Sequence, residues 1–255
     1  MPARCVALLN QKGGVGKTTT SVNLASIYAA MGIRVLAVDI DPQSHFSISL
    51  GLTDRDLVGI DNIFLEGHKA EPYIRNIREN LDLLPAGYRL SEVEKMGGDG
   101  PRLTKVLRDA LEPVKNNYQY IIIDCPPVSG LLNFNALFAS DEVIVPVSSD
   151  YLALQGLSQL LRTLRSAQKY MKKPIEVWLV LTRYSSRRNL SKEVKQKLID
   201  YFPNRLLMTA VRESAPVAES PSFGMSVVEY SPRSNGAKDY LNLADDFINR
   251  RVMRV

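Results

Sequence analysis

The chain has 255 residues, 45% of them hydrophobic, which is enough to bury one sizeable α/β core. Its net charge is +5, and its two cysteines, Cys5 and Cys125, stand apart in apolar, strand-like stretches. Two isolated thiols are typical of a reducing cytosol and exclude a disulfide framework. No apolar run in the sequence approaches the roughly 20 residues of a membrane span. We therefore expect one cytoplasmic domain over residues 1–255, without a signal peptide.

Short apolar runs alternate with helical patterns along most of the chain. In chain order, strands are predicted at 5–10, 33–41, 81–87, 120–127, 142–147, 175–182 and 205–211. Helices are predicted from Thr18 to before Gly32, over 102–114, 151–170 and 189–200, and from about Gly236 to the C-terminus. The stretches 52–80 and 95–101 have no clear pattern and are predicted to be surface loops. Apolar strands separated by helices favour a single-domain, mostly parallel β-sheet flanked by helices on both faces.

The positive charge is concentrated in one part of the chain. Between Arg162 and Arg205 there are twelve basic and three acidic side chains, a balance of +9, so the remaining residues carry −4. A basic block on an otherwise acidic chain is a candidate surface for a polyanion. A pair of solvated helices would have the same composition, and charge alone leaves both interpretations open.

A glycine-rich loop, "NQKGGVGKTTT" (10–20), lies between the first predicted strand and the first predicted helix. In this setting backbone N–H groups and a helix N-terminus face phosphates, and glycine lets the backbone approach them closely. Lys17 would neutralise the terminal phosphates, the Thr18 hydroxyl would ligate Mg²⁺, and Thr19 would reach the α-phosphate. The residues predicted to bind nucleotide here are Lys12, Gly13, Gly14, Val15, Gly16, Lys17, Thr18 and Thr19.

The loop departs from the common phosphate-loop consensus, because Gln11 replaces a glycine and a second lysine, Lys12, precedes the glycine pair. In both respects it resembles the deviant loop of the ParA/MinD family of P-loop ATPases. The resemblance runs from residue 3 to residue 249. Three further stretches carry it: "VDIDPQ" (38–43), "IIIDCPP" (121–127) and "ESPSFGMSVVEYSPRSNGAKDYLNLADDF" (219–247).

The resemblance implies catalytic roles for three residues. Lys12 would reach across a nucleotide-sandwich dimer to the phosphates held by the partner subunit, and Lys17 would act on its own. A second cation near the γ-phosphate offsets the charge that develops there during transfer, so ATP occupancy and dimerisation would be coupled. Asp41 would orient or activate the attacking water.

Two further carboxylates are candidates for the metal shell. Asp124 follows three isoleucines, where a buried charge is costly unless it faces a metal or hydrogen-bond donors, and it fits the Walker-B position that holds Mg²⁺ through water. Asp39 lies one strand alternation from Asp41 and points to the same side. It either supports the metal shell or acts as a helix cap or strand-end hydrogen-bonding group, and the sequence leaves these roles open.

The resemblance also locates adenine and DNA contacts. Thr182 and Arg212, near the ends of two predicted strands, are the adenine candidates. The segment 181–198 resembles the part of ParA-type dimers that contributes to sequence-independent DNA binding. Its candidate residues, at a strand end and a helix start, are Arg183, Arg187, Arg188 and Lys192. Cations in such positions contact phosphates without reading bases.

The implied protein is an ATPase that needs ATP and Mg²⁺, forms a homodimer with ATP and binds nucleoid DNA without sequence preference. It would position or segregate a cargo (a plasmid, chromosome or protein assembly) with a ParB-like or cargo-adaptor partner that stimulates its weak hydrolysis. A nucleoid-associated location follows. No N-terminal helix-turn-helix extension is expected before the loop.

Three alternatives belong to other classes. A MinD-like protein would bind membranes through its last helix, but Asp245 and Asp246 lie there, so no membrane binding is expected. A P-loop biosynthetic ligase of the dethiobiotin synthetase type would need neither Lys12 nor the basic block. A cluster-bearing redox relative such as nitrogenase iron protein is disfavoured, because Cys5 lies within the first strand.

Overall fold

A computed structural model describes residues 3–54, 57–95, 103–127, 130–150, 153–171 and 173–254. The strands within these ranges are β1 (Arg4–Leu8), β2 (Val35–Asp39), β3 (Arg75–Arg78), β4 (Leu81–Leu84), β5 (Tyr120–Asp124), β6 (Glu142–Ser148) and β7 (Glu176–Thr182). They form one sheet in the order β3-β4-β2-β5-β1-β6-β7. All neighbours are parallel except β3, which pairs antiparallel with β4 at the edge. The predicted mostly parallel sheet is confirmed.

Helices cover both faces of this sheet. Within the described residues they are α1 (Lys17–Ala30), α2 (His45–Ser49), α3 (Ile60–Glu66), α4 (Leu90–Lys95), α5 (Val106–Leu111), α6 (Leu131–Ala139), α7 (Ala153–Gln168), α8 (Asn189–Tyr201), α9 (Ala215–Glu219), α10 (Val227–Tyr230) and α11 (Asn235–Asn249). Strand alternation divides the core, since Ile121 and Ile123 pack on one side and Ile122 on the other. In the described part of the chain no helix has the length and apolarity to cross a membrane.

The prediction of a loop over 52–80 is wrong, because α3 and β3 both lie within it. Ile60, Ile63 and Phe64 of α3 are buried in the core, but the helix is too short for its period to stand out in the sequence. Strand β3 is a polar edge strand without an apolar run. Most of the other predicted loop, 96–101 within 95–101, lies outside the described residues.

The prediction of a continuous strand over 205–211 is also wrong, because the residues of this segment form isolated bridges instead. The Leu207 N–H donates to the Leu179 carbonyl, whereas the next such bond joins Val211 to Leu181. Four residues of this segment therefore lie beside two of β7, and the strand register breaks. Two helix predictions were too long: 102–114 contains a 3₁₀ turn before the short α5, and α11 ends before Arg250, whose φ is 53°.

The C-terminal stretch that carried the family resemblance packs against the segment that follows β2. Gly224 and Gly51 touch through their backbones, and a Cβ on Gly224 would lie 2.7 Å from the Gly51 Cα. The Arg78 guanidinium donates to the carbonyls of Gly224 (2.6 Å) and Leu50 (3.1 Å). Arginine thus joins the two segments, and the contact between them requires glycine.

Gly224→Ala should therefore destabilise the chain more than Gly32→Ala does. Both glycines have a left-handed φ, 64° and 79°, but a Cβ on Gly32 meets no atom within 4 Å. We expect a backbone cost of about 1 kcal/mol for Gly32→Ala. Gly224→Ala should cost roughly 1–3 kcal/mol more, because the clash forces the two backbones apart. Urea denaturation of both variants measures the difference, and equal losses would contradict the close contact.

Candidate nucleotide-binding site

The glycine-rich loop leaves β1 at the carboxyl edge of the sheet and ends where α1 begins at Lys17. Because β1 lies between β5 and β6, the loop sits at the centre of this edge. Gly14 and Gly16 have φ of 72° and 91°, a left-handed conformation that residues with a Cβ adopt only with strain. The loop therefore has the conformation in which backbone N–H groups can surround an anion.

Hydrogen bonds to β6 and β7 hold this loop in place. The Asn10 amide donates to the Pro146 carbonyl at 2.7 Å, and its oxygen accepts the Lys12 N–H at 3.0 Å. The buried Thr182 hydroxyl, at the end of β7, donates to the Val15 carbonyl at 2.8 Å. These bonds fix the loop before any ligand is considered, which lowers the entropic cost of binding.

Lys17 is almost fully buried within the loop, and its Nζ donates to the Lys12 carbonyl at 3.3 Å. Burial lowers the pKa of this ammonium, and the negative charges of Asp124 and Asp41 oppose the shift. An ammonium withdrawn from water among carboxylates and backbone groups is suited to meet the terminal phosphates of a nucleotide.

Asp124 ends β5 with no exposed surface, and two hydroxyls of α1 donate to it. Thr18 bonds to its Oδ2 at 2.6 Å and Ser21 to its Oδ1 at 2.7 Å. Burial, together with the nearby charge of Asp39, raises the pKa of Asp124 to about 7, although both hydroxyls and Lys17 oppose the shift. A cation would relieve this unfavourable charge. The hydroxyl and carboxylate oxygens are also the hard donors that Mg²⁺ prefers, so these residues fit a magnesium ion.

Asp39 lies directly across the strand pair from Asp124, and it is also fully buried. Its Oδ1 accepts the Asp41 N–H at 3.1 Å, and its Oδ2 accepts the Ser47 N–H at 2.8 Å and the Ser47 hydroxyl at 2.7 Å. Burial raises its pKa to about 6 despite these bonds. The contacts support the strand-end hydrogen-bonding role, and a role in the metal shell stays a prediction.

Asp41 follows β2 and is held by this arrangement. Its backbone N–H is bound by Asp39, and its Oδ1 accepts the Gln43 N–H at 2.9 Å. Glu94 of α4 lies close enough that the charge of Asp41, after burial, helps to raise the pKa of Glu94. Motif reasoning missed Glu94, because α4 lies outside every recognised stretch.

The second lysine of the loop is held by its own chain. The Lys12 ammonium forms an ion pair with Asp150, which follows β6 by two residues. The other Asp150 oxygen accepts the Ser148 hydroxyl at 2.6 Å. The sequence reasoning missed Asp150, and its only local signal was a carboxylate just after an apolar strand.

The two adenine candidates have different surroundings. Thr182 supports the phosphate loop, as described above. Arg212 donates to both oxygens of Asp239 in α11, at 2.9 and 2.7 Å from Nε and Nη2, and these hydrogen bonds raise the Arg212 pKa. Only Thr182 therefore contacts the loop, and the role of both residues in adenine binding stays a prediction.

The four DNA candidates lie together where β7 ends and α8 begins. Arg183, Arg187, Arg188 and Lys192 are all exposed, and we call them the basic edge. Glu213 pairs with two of them, at 3.0 Å from Arg183 and 3.9 Å from Arg188. The sequence reasoning did not identify this carboxylate, which lies 30 residues beyond Arg183.

Parallel sheet, deviant glycine loop, helix-borne hydroxyls and a buried strand-end carboxylate together define a P-loop nucleotide-binding protein of the kind with two loop lysines. A family profile described as "AAA domain" matches residues 3–177. The sporulation initiation inhibitor protein Soj of Bacillus subtilis is 42% identical over 250 residues, which cover 95% of this chain and 97% of that protein.

A second relative, the chromosome partitioning protein ParA of Caulobacter vibrioides, is 39% identical, and the match covers 98% of this chain and 95% of that protein. Among solved structures, cobyrinic acid a,c-diamide synthase from Mycobacterium smegmatis, with bound ATP analogue and magnesium, superposes with a TM-score of 0.84. It is 30% identical, with 99% of each chain covered. The chain belongs to the ParA/Soj branch of the ParA/MinD family of ATPases, as the sequence motifs predicted.

Asp39→Asn should change how stability depends on pH. The folded-state pKa of about 6 exceeds the usual 3.8, so the folded chain binds this proton more tightly than the unfolded chain. The resulting stabilisation is complete below pH 3.8 and is lost as pH rises through 6. Relative to wild type, the variant should gain about 2 kcal/mol of unfolding free energy between pH 4 and 7.

Urea denaturation without nucleotide or Mg²⁺ measures this difference. Ser47→Ala serves as the matched variant, because it removes a hydroxyl that lowers the Asp39 pKa and should make the loss of stability with pH steeper. A difference between Asp39→Asn and wild type that stays constant across this range would contradict the assignment.

Proposed function

We propose that the chain is a partitioning ATPase that dimerises on ATP binding, binds nucleoid DNA in that state and positions a cargo. One observation carries the proposal. A complete phosphate loop holds a second lysine, Lys12, whose ammonium lies at the loop and not in the phosphate-facing position of Lys17. Its ion pair with Asp150 is half-exposed, so Lys12 can exchange that carboxylate for phosphates that come within its reach, and a second subunit would bring them.

Different residues of the site would bind the phosphates and the magnesium ion of MgATP. Lys17 and the N-terminus of α1 would bind the terminal phosphates, while Thr18 and Asp124 would hold Mg²⁺. The bound cation would neutralise charge on the β- and γ-phosphate oxygens. Thr18 and Asp124 are already 2.6 Å apart, so both would be in place before the nucleotide arrives.

Hydrolysis would depend on Asp41 and on the partner's Lys12. Asp41 is buried beside the loop, and Asp39 and Gln43 hold its position, so it is suited to orient a water molecule toward the γ-phosphate. In this kind of reaction the protein contributes mainly position and electrostatic stabilisation. Supplying one of the cations from the other subunit would keep turnover slow until a ParB-like or cargo-adaptor protein stabilises the active dimer.

DNA binding is supported by the exposure of the basic edge. Four cations at one end of the sheet would contact phosphates and would give an affinity that is independent of sequence and sensitive to salt. A dimer would present two such edges and so bind more tightly than one subunit. This would retain the ATP-bound protein on the nucleoid in the cytoplasm.

The contacts of α11 argue against the membrane-binding alternative. Its apolar residues Tyr240, Leu243 and Phe247 are buried in the core, so they are not available to a bilayer. The basic residue Arg251 is paired with Asp245 and Asp246. The P-loop ligase remains the second candidate, because a synthase structure is 30% identical over nearly the whole chain. A ligase would hydrolyse ATP only with a small carboxylate substrate, and DNA would neither bind to it nor change its activity.

Asp41→Ala should keep the ATP-dependent dimer but stop turnover, because the change removes the group that orients water and leaves the phosphate loop intact. Sedimentation with ATP and Mg²⁺ measures the dimer, and phosphate release measures turnover, for which we expect a loss of at least about 100-fold. Lys17→Ala is the paired variant and should lose both. Normal hydrolysis by Asp41→Ala would refute the catalytic assignment.

Random-sequence duplex DNA should bind much more tightly with ATP or a non-hydrolysable ATP analogue than with ADP or without nucleotide. Affinity should fall steeply between two salt concentrations. Arg187→Glu with Arg188→Glu should abolish binding and preserve the dimer. Lys69→Glu with Lys105→Glu, at exposed positions in other parts of the fold, changes the charge equally and should retain binding. If wild type binds no DNA in any nucleotide state, the DNA part of the proposal fails.

A further inference from the structure

Three consecutive residues at the end of β6 link the nucleotide site to the basic edge. Asp150 pairs with Lys12, and its other oxygen accepts the Ser148 hydroxyl. Ser149, between them, points the other way, and its hydroxyl donates to the Arg183 carbonyl at 2.8 Å. We call Ser148–Asp150 the linking segment.

The same segment also contacts the helix that follows the basic edge. The Ser191 hydroxyl of α8 is fully buried and donates to the Ser149 hydroxyl at 3.0 Å. The Ser149 N–H donates to the carbonyl of Thr182, whose own side chain holds the phosphate loop. The Ser149 hydroxyl thus joins Arg183 to the first turn of α8, and the Ser149 backbone N–H joins both to the strand end beneath the loop.

Arg183 has a backbone conformation that makes it sensitive to this bond. Its φ is 50°, in the left-handed region that residues other than glycine adopt only when their surroundings hold them there. The hydrogen bond from Ser149 to the Arg183 carbonyl is one such restraint. Movement of the linking segment would therefore alter the first residue of the basic edge directly.

We propose that Ser149 is a positioning residue that transmits the contact state of Lys12 to Arg183 and the start of α8, so that DNA affinity depends on ATP. The inference rests on the proposed function. When Lys12 turns to the phosphates of a second subunit, it gives up its ion pair with Asp150. That pair is half-exposed and therefore weak, so the exchange has a low cost. The linking segment is then free to shift, and the hydrogen bond from the Ser149 hydroxyl to the Arg183 carbonyl transmits this shift to the basic edge.

The test measures the dissociation constant for random-sequence duplex DNA with ADP and with a non-hydrolysable ATP analogue, using the full chain. The quantity of interest is the dissociation constant with ADP divided by the dissociation constant with the ATP analogue, which we call the coupling ratio. Ser149→Ala should lower the coupling ratio about fivefold or more by weakening binding in the ATP state, because a buried hydrogen bond is lost. Its ATP-dependent dimerisation, followed by sedimentation, should stay within about twofold of wild type, which a general loss of structure would not allow.

Ser140→Ala is the matched control. Ser140 is as buried as Ser149, and its hydroxyl also donates to a backbone carbonyl, that of Ala136 at 2.7 Å, but it precedes β6 at the opposite edge of the sheet. This variant should keep the wild-type coupling ratio. An equal loss in Ser140→Ala would overturn the proposal, because the effect would then reflect stability alone.

Asp150→Asn tests the other end of the link at a half-exposed position that tolerates substitution. Weakening the pair with Lys12 should raise DNA affinity in the ADP state about threefold and so lower the coupling ratio. In the double variant with Ser149→Ala this gain should disappear, because both residues act through one path. Independent, multiplying effects would overturn the proposal.

The remaining outcomes are also decisive. A wild-type coupling ratio in Ser149→Ala overturns the inference while the proposed function stands. If Ser149→Ala melts well below Ser140→Ala, Asp150→Asn decides alone, and an unchanged ratio there overturns the link. If wild-type DNA affinity does not respond to nucleotide, the proposed function fails first, and the inference fails with it.

Discussion

The buried carboxylate of Asp124, on the middle strand of the sheet, constrains the arrangement of the rest of the site. Asp124 has no exposed surface, and burial raises its pKa to about 7 although the neighbouring donors and Lys17 oppose the shift. Thr18 and Ser21 provide them from the first turns of α1, so the carboxylate also fixes the helix that begins in the phosphate loop. The cost of burying this charge without a cation is a physical reason for the site to favour Mg²⁺.

A second buried carboxylate, Asp39, also positions the groups around it. Asp39 uses its oxygens to hold the backbone of Asp41 and the start of α2, so hydrogen bonds position the carboxylate that we propose acts on water. Thr182 and Asn10 hold the loop from the other side. The phosphate loop, Thr18 and Asp41 are therefore tied to strand ends, and such fixed positions suit phosphoryl transfer.

Several cations with proposed external partners already have internal ones. Asp150 holds Lys12, and Glu213 holds Arg183 and Arg188. These ion pairs are exposed, so they contribute little to stability and can be exchanged easily for phosphates. An incoming phosphate would therefore replace a carboxylate that is already present.

Patterns of adjacent residues in the sequence determined much of the fold and of the phosphate loop. The glycine spacing, Lys17, Thr18 and the run ending at Asp124 could be read without coordinates, because a phosphate loop and an apolar parallel strand are defined by adjacent residues. The failures also had local causes: α3 is too short to show a period, and the segment beside β7 loses its register through an insertion of two residues. Neither feature has a signature that could be counted along the chain.

Tertiary structure alone decided which groups meet. Lys12 and Asp150 are 138 positions apart, Ser149 and Ser191 are 42 apart, and no spacing rule connects them. The sheet order brings these positions together, because the ends of β1, β6 and β7 lie side by side at one edge. The sequence therefore determined the chemistry of the loop, whereas the fold determined which carboxylates and hydroxyls contact its second lysine and the basic edge.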